Sequence, residues 1–314
     1  MNALHPSEGA VAVGGPLDGA RARRFRRALV VANPIAGRGR ARAAARELAT
    51  GLEQLGVASE LYFTTARGDA RLWLRARAQD HDLVVAVGGD GTVSEVLDGL
   101  VDRSVPIAIL PMGTGNVMSL DLALPRDVDR ALELVARGRT SALDVARVNG
   151  RHLSFLVTGV GFDAMVAREL ERTRRGPITK LAWTRAGIEA LRGYVRPRLA
   201  VTIDGQSLPG TFGTVLVSNI VHYGGFPCLA RERRIDDGLF ECYLFRDNSP
   251  YGLFGYALRA LLRRLPGGSC EMRRARRVSV ASDTPVPFQV DGDYKGDTPV
   301  EIEVSGEQYR VVVP

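Results

Sequence analysis

Lysine is almost missing from this chain. Lys180 and Lys295 are the only two, every other cation is arginine, and the net charge is +7. The shortage excludes two kinase classes. A P-loop needs Gly-Lys followed by Ser or Thr, and neither lysine follows a glycine. A protein kinase needs a strand lysine and a His-Arg-Asp loop, and neither pattern occurs. Cysteine is also scarce: Cys228, Cys242 and Cys270 form no Cys-x-x-Cys pair, and the four histidines are scattered. A zinc site or a disulfide framework is therefore not expected, and reduced thiols in a cytoplasmic protein are. No run of 18 apolar residues exists to span a membrane. No long apolar stretch near the start marks a secretory signal.

The 314 residues are 45% hydrophobic and 25% charged, enough for one large or two medium globular domains. The basic excess fits an anionic partner such as a nucleotide, a nucleic acid or an acidic membrane face. An arginine-rich composition without a partner explains it equally well. Residues 1–27, rich in Gly, Ala and Pro and ending in RARRFRR, are expected to be a disordered basic arm able to touch anionic lipid.

From Ala28 short apolar strands alternate with helical patterns: ALVVANP, ASELYFTT, DLVVAVGG and PIAILP are separated by amphipathic stretches. This predicts a Rossmann-like parallel sheet with helices on both faces over residues 28–143. After about Leu143 strands dominate, and Asn149-Gly150, Asp204-Gly205 and Asp291-Gly292 suit hairpin turns. Residues 144–314 are therefore expected to form a mainly antiparallel β-sandwich. Two helical insertions are expected within it, near 163–194 and 250–264, and a cleft between the two domains.

Three predicted strand ends carry glycine-rich bends: NPIAGRGRA, GGDGTVSE and PMGTGN. Ligands of open parallel sheets bind beyond the carboxyl ends of strands. Glycines let main-chain N–H groups approach an anion, and the next helix adds its positive end. Thr92, Thr114 and Asn116 could add side-chain contacts, with Gly113 giving close approach. Three such bends on one edge point to a phosphate-bearing ligand. Asp90, among those glycines, calls for a neutralising cation such as Mg²⁺, or else caps the following helix. GVGFDA at 159–164 matches a dinucleotide fingerprint in form, but the acidic residue that should follow it is missing. A close backbone approach accounts for it better.

Together these residues resemble the diacylglycerol kinase catalytic-domain family, which includes bacterial lipid kinases, sphingosine kinases and ceramide kinases. The carriers are Asn33-Pro34 with Gly37, the run Gly88 to Thr92 with Glu95, LPMGTGN at 110–116, DDGLF at 236–240 and VDGD at 290–293. The resemblance implies an ATP- and Mg²⁺-dependent lipid kinase that phosphorylates the hydroxyl of a lipid acceptor such as diacylglycerol or a sphingoid base. It implies nucleotide contacts at Asn33, Pro34, Gly37, Thr64, Gly89, Asp90, Gly91, Thr92, Glu95 and Thr114. It implies a structural metal on Asp237 with main-chain oxygens near Arg234 and Leu239. It places the general base in VDGD, where the family usually has Asp-Gly-Glu and this chain has Asp291-Gly292-Asp293; Asp291 is the first choice, supported by Asp293. Val117 stands where many members have Asp, which removes one candidate magnesium ligand.

Residues 172–199 and 251–265 mix arginine with large apolar residues. They fit either an anionic membrane surface or helices packed on the β domain with solvated arginines. Peripheral attachment to the inner face of the membrane is expected, and a homodimer is compatible with the sequence. The rival readings are a NAD kinase-like enzyme and an inactive nucleotide-binding regulator, the latter motivated by Asp293. A nucleic-acid partner is not expected.

Overall fold

The computed structural model describes residues 23–77, 81–173, 180–223, 229 and 234–314. The arm over residues 1–22, Cys228 and the segment 174–179 lie outside the described residues.

The first half alternates as its sequence pattern predicts. Its strands are β1 (Arg27–Ala32), β2 (Ala58–Phe63), β3 (Leu83–Gly88) and β4 (Ile107–Pro111). They pair in parallel in the order β2-β1-β3-β4. Helices α1 (Arg40–Gln54), α2 (Asp69–Arg77), α3 (Asp90–Gly99), α4 (Val117–Asp121) and α5 (Val128–Arg137) form the connections. Strand β3, LVVAVG, is buried at all six positions, as a strand covered on both faces must be. One core holds Val30, Val85 and Leu110 against Leu48 and Leu52 of α1. Another holds Leu29, Val84 and Ile109 against Leu74, Val93 and Leu97 of α2 and α3.

The second half is antiparallel. Strands β5 (Thr140–Val148), β6 (His152–Ser154) and β7 (Val157–Gly161) lead into helices α6 (Phe162–Thr173) and α7 (Lys180–Arg192). Strands β8 (Ala200–Ile203), β9 (Gln206–Ser207), β10 (Thr214–Ser218) and β11 (Phe240–Phe245) follow, then helix α8 (Pro250–Leu261). The chain closes with β12 (Cys270–Ala275), β13 (Arg277–Ala281), β14 (Pro287–Val290), β15 (Asp293–Asp297) and β16 (Val300–Val312). A six-stranded sheet runs β12-β11-β10-β7-β14-β15. It faces part of the other sheet across a core of Val160, Val215, Val217 and Phe288 against Val278, Val280, Val300 and Ile302.

The three Asx-Gly pairs expected to form hairpin turns all do so. Asn149-Gly150 joins β5 to β6, Asp204-Gly205 joins β8 to β9, and Asp291-Gly292 joins β14 to β15. Both residues of each pair have positive φ, as a type I′ turn requires.

Two features differ from the sequence expectation. Residues 300–313, where Ser305-Gly306 suggests a break between two strands, hold one long strand, β16. It pairs antiparallel with β13 and β5 and then reaches β4 in parallel, with a register shift between Val304 and Gln308. The C-terminus thereby returns to the N-terminal sheet, so sheet order alone does not separate the two halves. Residues 23–27, expected as the end of a disordered arm, are packed. Phe25 is buried, the Arg26 and Arg27 N–H groups donate to Asp82 at 2.9 Å, and Arg23 N–H donates to Gly138 O at 3.1 Å. The arginine run concealed the one apolar anchor inside it.

Candidate functional site

The glycine-rich bends after β1, β3 and β4 meet at one sheet edge. A Cβ on Gly113 would lie 2.5 Å from the Gly89 Cα, so the β3 and β4 bends touch backbone to backbone. A Cβ on Gly37 would lie 3.1 Å from Met112 O, which brings in the β1 bend. Gly37, Arg38 and Gly39 all have positive φ. Arg38 is thus a side-chain-bearing residue in a left-handed bend that glycine adopts more readily.

The residues expected to contact nucleotide divide into two groups. Some frame the loops. Asn116 is buried with φ of 51°. Its amide accepts from Gly113 N–H at 2.9 Å and donates to Gly113 O at 2.8 Å. Glu95 accepts from Gly68 N–H at 2.8 Å and Ala70 N–H at 3.3 Å, which fixes the start of α2. Thr92 is buried and fills the space that a side chain on Gly88 would need. Asn33 Oδ1 accepts from Ile35 N–H at 3.2 Å. Others face outward: Gly91 and Thr114 are exposed, while Pro34 and Thr64 are half-buried.

Asp90 does not cap α3. Gly89 occupies the cap position, without a side-chain hydrogen bond. The Asp90 carboxylate instead turns to the start of α4, accepting from Met118 N–H at 3.4 Å. Burial raises its pKa, and the amides of Val117, Met118 and Asn116 oppose that rise. Burial outweighs these amides, so the carboxylate still favours a neutralising cation, as the sequence argument holds.

Across from these bends lies the Asp291–Asp293 turn. Asp291 Oδ1 accepts from Ser154 Oγ, Leu156 N–H and Val157 N–H, each at 3.0 Å. Its Oδ2 accepts from Phe155 N–H at 3.1 Å. Burial pushes its pKa up to about 6, against the pull of these donors. Asp293 is more open. It pairs with Arg67, from the loop after β2, and with Lys295 Nζ at 3.3 Å. Arg67 therefore ties the carboxyl edge of the parallel sheet to the β-sandwich. Sequence reasoning missed it; its one signal is its position at the end of a parallel strand.

The GVGFDA segment proves to be structural. The Asp163 carboxylate occupies the space beside Gly159 and accepts from Gln289 Nε2 at 2.8 Å. Gln289 Oε1 in turn accepts from Gly292 N–H at 2.7 Å. Gly161, with φ of 104°, passes so close to Gly213 that a Cβ would lie 2.5 Å from its carbonyl oxygen. This is the close backbone approach expected there, and it supports the Asp291–Asp293 turn from behind.

The Asp237 loop is braced by Asp144, whose Oδ2 accepts from Gly238 N–H at 2.6 Å. Asp237 accepts from Leu239 N–H at 3.1 Å and lies 3.8 Å from Arg274. Burial raises the Asp144 pKa, and the charges of Asp237 and Asp236 add to the rise. Among the described residues no three His, Cys, Asp or Glu side chains converge as a metal cage. The fit for a hard cation therefore rests on Asp237 with main-chain oxygens, beside Asp144 and Asp236 but with Arg274 and Arg234 also close to these carboxylates. Sequence reasoning also missed Asp121 and His222. The buried Asp121 accepts from Val221 N–H at 2.6 Å and from His222 N–H at 3.1 Å, and lies 2.6 Å from His222 Nδ1. This pins the segment after β10 to α4.

Known protein families match both halves of the chain. The diacylglycerol kinase catalytic domain model matches residues 27–148. The YegS C-terminal NAD kinase β-sandwich-like domain model matches residues 156–313, half of the chain. The chain belongs to the diacylglycerol kinase catalytic-domain family. It is 27% identical over 295 residues to a diacylglycerol kinase of Bacillus subtilis, covering 92% of this chain and 97% of that one. It is 26% identical over 294 residues to one of Staphylococcus carnosus, covering 92% and 95%. A crystal structure of a diacylglycerol kinase from Bacillus anthracis has a TM-score of 0.71 at 20% identity, covering 93% of this chain and 98% of that one. A second chain from that organism gives 0.77 at 22%, covering 93% and 99%. These two likenesses show the fold: a parallel sheet with helices, followed by an antiparallel β-sandwich. The family is one of lipid kinases.

Proposed function

We propose that this chain transfers the γ-phosphoryl group of ATP to the hydroxyl of a membrane lipid such as diacylglycerol or a sphingoid base. The observation that carries the reading is the meeting of the β1, β3 and β4 bends, with Asp293 held opposite by Arg67. In this reading residues 28–143 take the nucleotide and residues 144–314 the acceptor. Main-chain amides near Gly37, Gly89, Gly91 and Thr114 lie along the phosphates, with Gly113 giving close approach and Asn33, Pro34 and Thr64 at the same edge. Glu95, Thr92 and Asn116 hold those loops in shape. Phosphoryl transfer asks mainly for such positioning and charge neutralisation.

Asp291 was the first candidate for the base. Its four donors favour a different division of labour. Asp291 holds the turn, and the half-exposed Asp293 accepts the proton. The acceptor O–H gives its proton to an Asp293 oxygen as the hydroxyl oxygen forms its bond to the γ-phosphorus. The bond from that phosphorus to the bridging oxygen breaks, and ADP leaves with the electron pair. Arg67, already beside Asp293, supplies positive charge next to the transferring group. Mg²⁺ bound with ATP would neutralise phosphate charge, with Asp90 as the carboxylate set among these bends. A second divalent ion fits Asp237 with the main-chain oxygens of Arg234 and Leu239, where it would brace the loop. The chain would work as a peripheral protein at the inner face of the membrane.

Incubation with Mg²⁺, labelled ATP and a total lipid extract tests the reading. Label should appear in a phospholipid product. Label in NAD and in no lipid would transfer the assignment to a NAD kinase-like enzyme.

A further inference from the structure

Helix α8 turns its apolar side to solvent. Its one buried residue is Tyr256. The Tyr256 hydroxyl accepts from Asp247 N–H at 3.0 Å and lies 2.6 Å from Ser269 Oγ. Its ring meets Phe245 edge-on at 4.7 Å. Ser249 caps the start, accepting from Gly252 N–H at 3.0 Å. The helix is thus fixed along one face. On the other, Tyr251, Phe254, Leu258 and Leu261 recur at three- and four-residue steps and are 90%, 71%, 45% and 53% exposed. A contiguous apolar stripe of this kind marks a contact surface rather than ordinary surface variation.

The charges beside it choose the occupant. Residues 250–269 hold Arg259, Arg263 and Arg264 and no Asp or Glu. A second copy of the chain docked on this face would bring arginine against arginine. Among the described residues no helix is long and apolar enough to cross a membrane. An apolar stripe flanked by arginines on a short helix is suited to lie in the plane of an anionic bilayer.

We infer that α8 seats the protein on anionic membrane. The stripe enters the boundary between headgroups and acyl chains, and Arg259, Arg263 and Arg264 meet lipid phosphates. Helix α7 extends this surface toward the site. Leu181, Ile188 and Leu191 form a second stripe, 78%, 50% and 43% exposed. Asn248 Nδ2, just before α8, donates to Pro197 O at 2.7 Å, just past α7. The ring of Trp183 on α7 lies 4.0 Å from where a Cβ on Gly292 would stand, so the same helix reaches the Asp291–Asp293 turn.

The purpose of this surface rests on the lipid-kinase reading, but its test does not. The full chain is sedimented with phosphatidylcholine vesicles, alone or with about one quarter phosphatidylglycerol. Wild type should pellet with the anionic vesicles. The double variants Phe254→Asp/Leu258→Asp and Arg263→Glu/Arg264→Glu should each bind at least about tenfold more weakly. Both should keep wild-type melting temperature and ATP affinity, and phosphorylate a short-chain, water-dispersed diacylglycerol at the wild-type rate. Equal vesicle binding by wild type and variants would overturn the proposal. So would a wild-type dimer that Phe254→Asp/Leu258→Asp converts to monomer, since the stripe would then belong to a second copy. Stripe-dependent vesicle binding without phosphorylation of any lipid would sink the kinase reading and leave this one standing. Lipid phosphorylation with an irrelevant stripe would do the reverse.

Discussion

The two sides of the candidate site are built by opposite means. On the parallel sheet the candidate site is almost all backbone. Its side chains Asn116, Glu95 and Thr92 are engaged in holding loops, and in the proposed reading what the loops give the nucleotide is mainly main-chain N–H and space. On the β-sandwich the candidate site is side chain. Asp291 collects four donors and fixes a left-handed turn, which leaves Asp293 one position past Gly292, facing Arg67. A surface made of amides suits a ligand whose charge is spread over many oxygens. A single carboxylate on a rigid turn suits the removal of one proton from one hydroxyl.

The sharpest way to break this contrast is to empty the rigid turn. Asp291→Ala strands three N–H groups and the Ser154 hydroxyl. It should lower stability by about 2–4 kcal/mol in denaturant unfolding; a loss below about 1 kcal/mol would show that the turn does not depend on the carboxylate. The Asp163 support behind it predicts a pH effect. Burial pushes the Asp163 pKa up to about 6, whereas in the unfolded chain it titrates near its ordinary value, about 3.9. The folded form therefore holds the extra proton between these values. The contribution is fully present below about pH 4 and is lost as pH rises through about 6. Asp163→Asn removes this loss and should make the protein more stable than wild type at pH 8, by about 1–2 kcal/mol after allowance for the partial exposure of the residue. A less stable variant at that pH would contradict the assignment.

On the backbone side, Gly113→Ala tests space alone, because its new Cβ would press on the Gly89 Cα. ATP affinity in titration calorimetry should fall at least about tenfold, about 1.4 kcal/mol, while unchanged affinity would separate these bends from the nucleotide. The smallest effect belongs to Arg67→Ala. Both partners of its pair with Asp293 are substantially exposed, so stability should change by less than about 1 kcal/mol. A larger drop in thermal unfolding would make the pair a structural clasp instead of a feature of the site.

The same contrast decides what was legible in the sequence. Backbone sites require glycine at fixed points after buried strands, and the three bends could be read directly. The Asx-Gly turns were equally plain, because few residue pairs accept two positive φ values. Features that depend on distant partners left no local trace. Arg67 looks like any surface arginine until the fold brings it to Asp293. The long strand β16 looks like two strands because Ser305-Gly306 resembles a turn, and nothing near it announces that Val311 will pair beside Ile107. Asp291 and Asp293 show the same limit at the scale of one motif. Their spacing marked a site, but only the donors around Asp291 assign the two carboxylates different tasks.

The most direct test measures ATP affinity and lipid phosphorylation side by side in Gly113→Ala and Asp293→Asn. The account predicts a crossed result: Gly113→Ala binds ATP poorly, whereas Asp293→Asn binds it as wild type does and labels no lipid. Lipid labelling by Asp293→Asn at the wild-type rate, or loss of nucleotide binding in both variants alike, would contradict it.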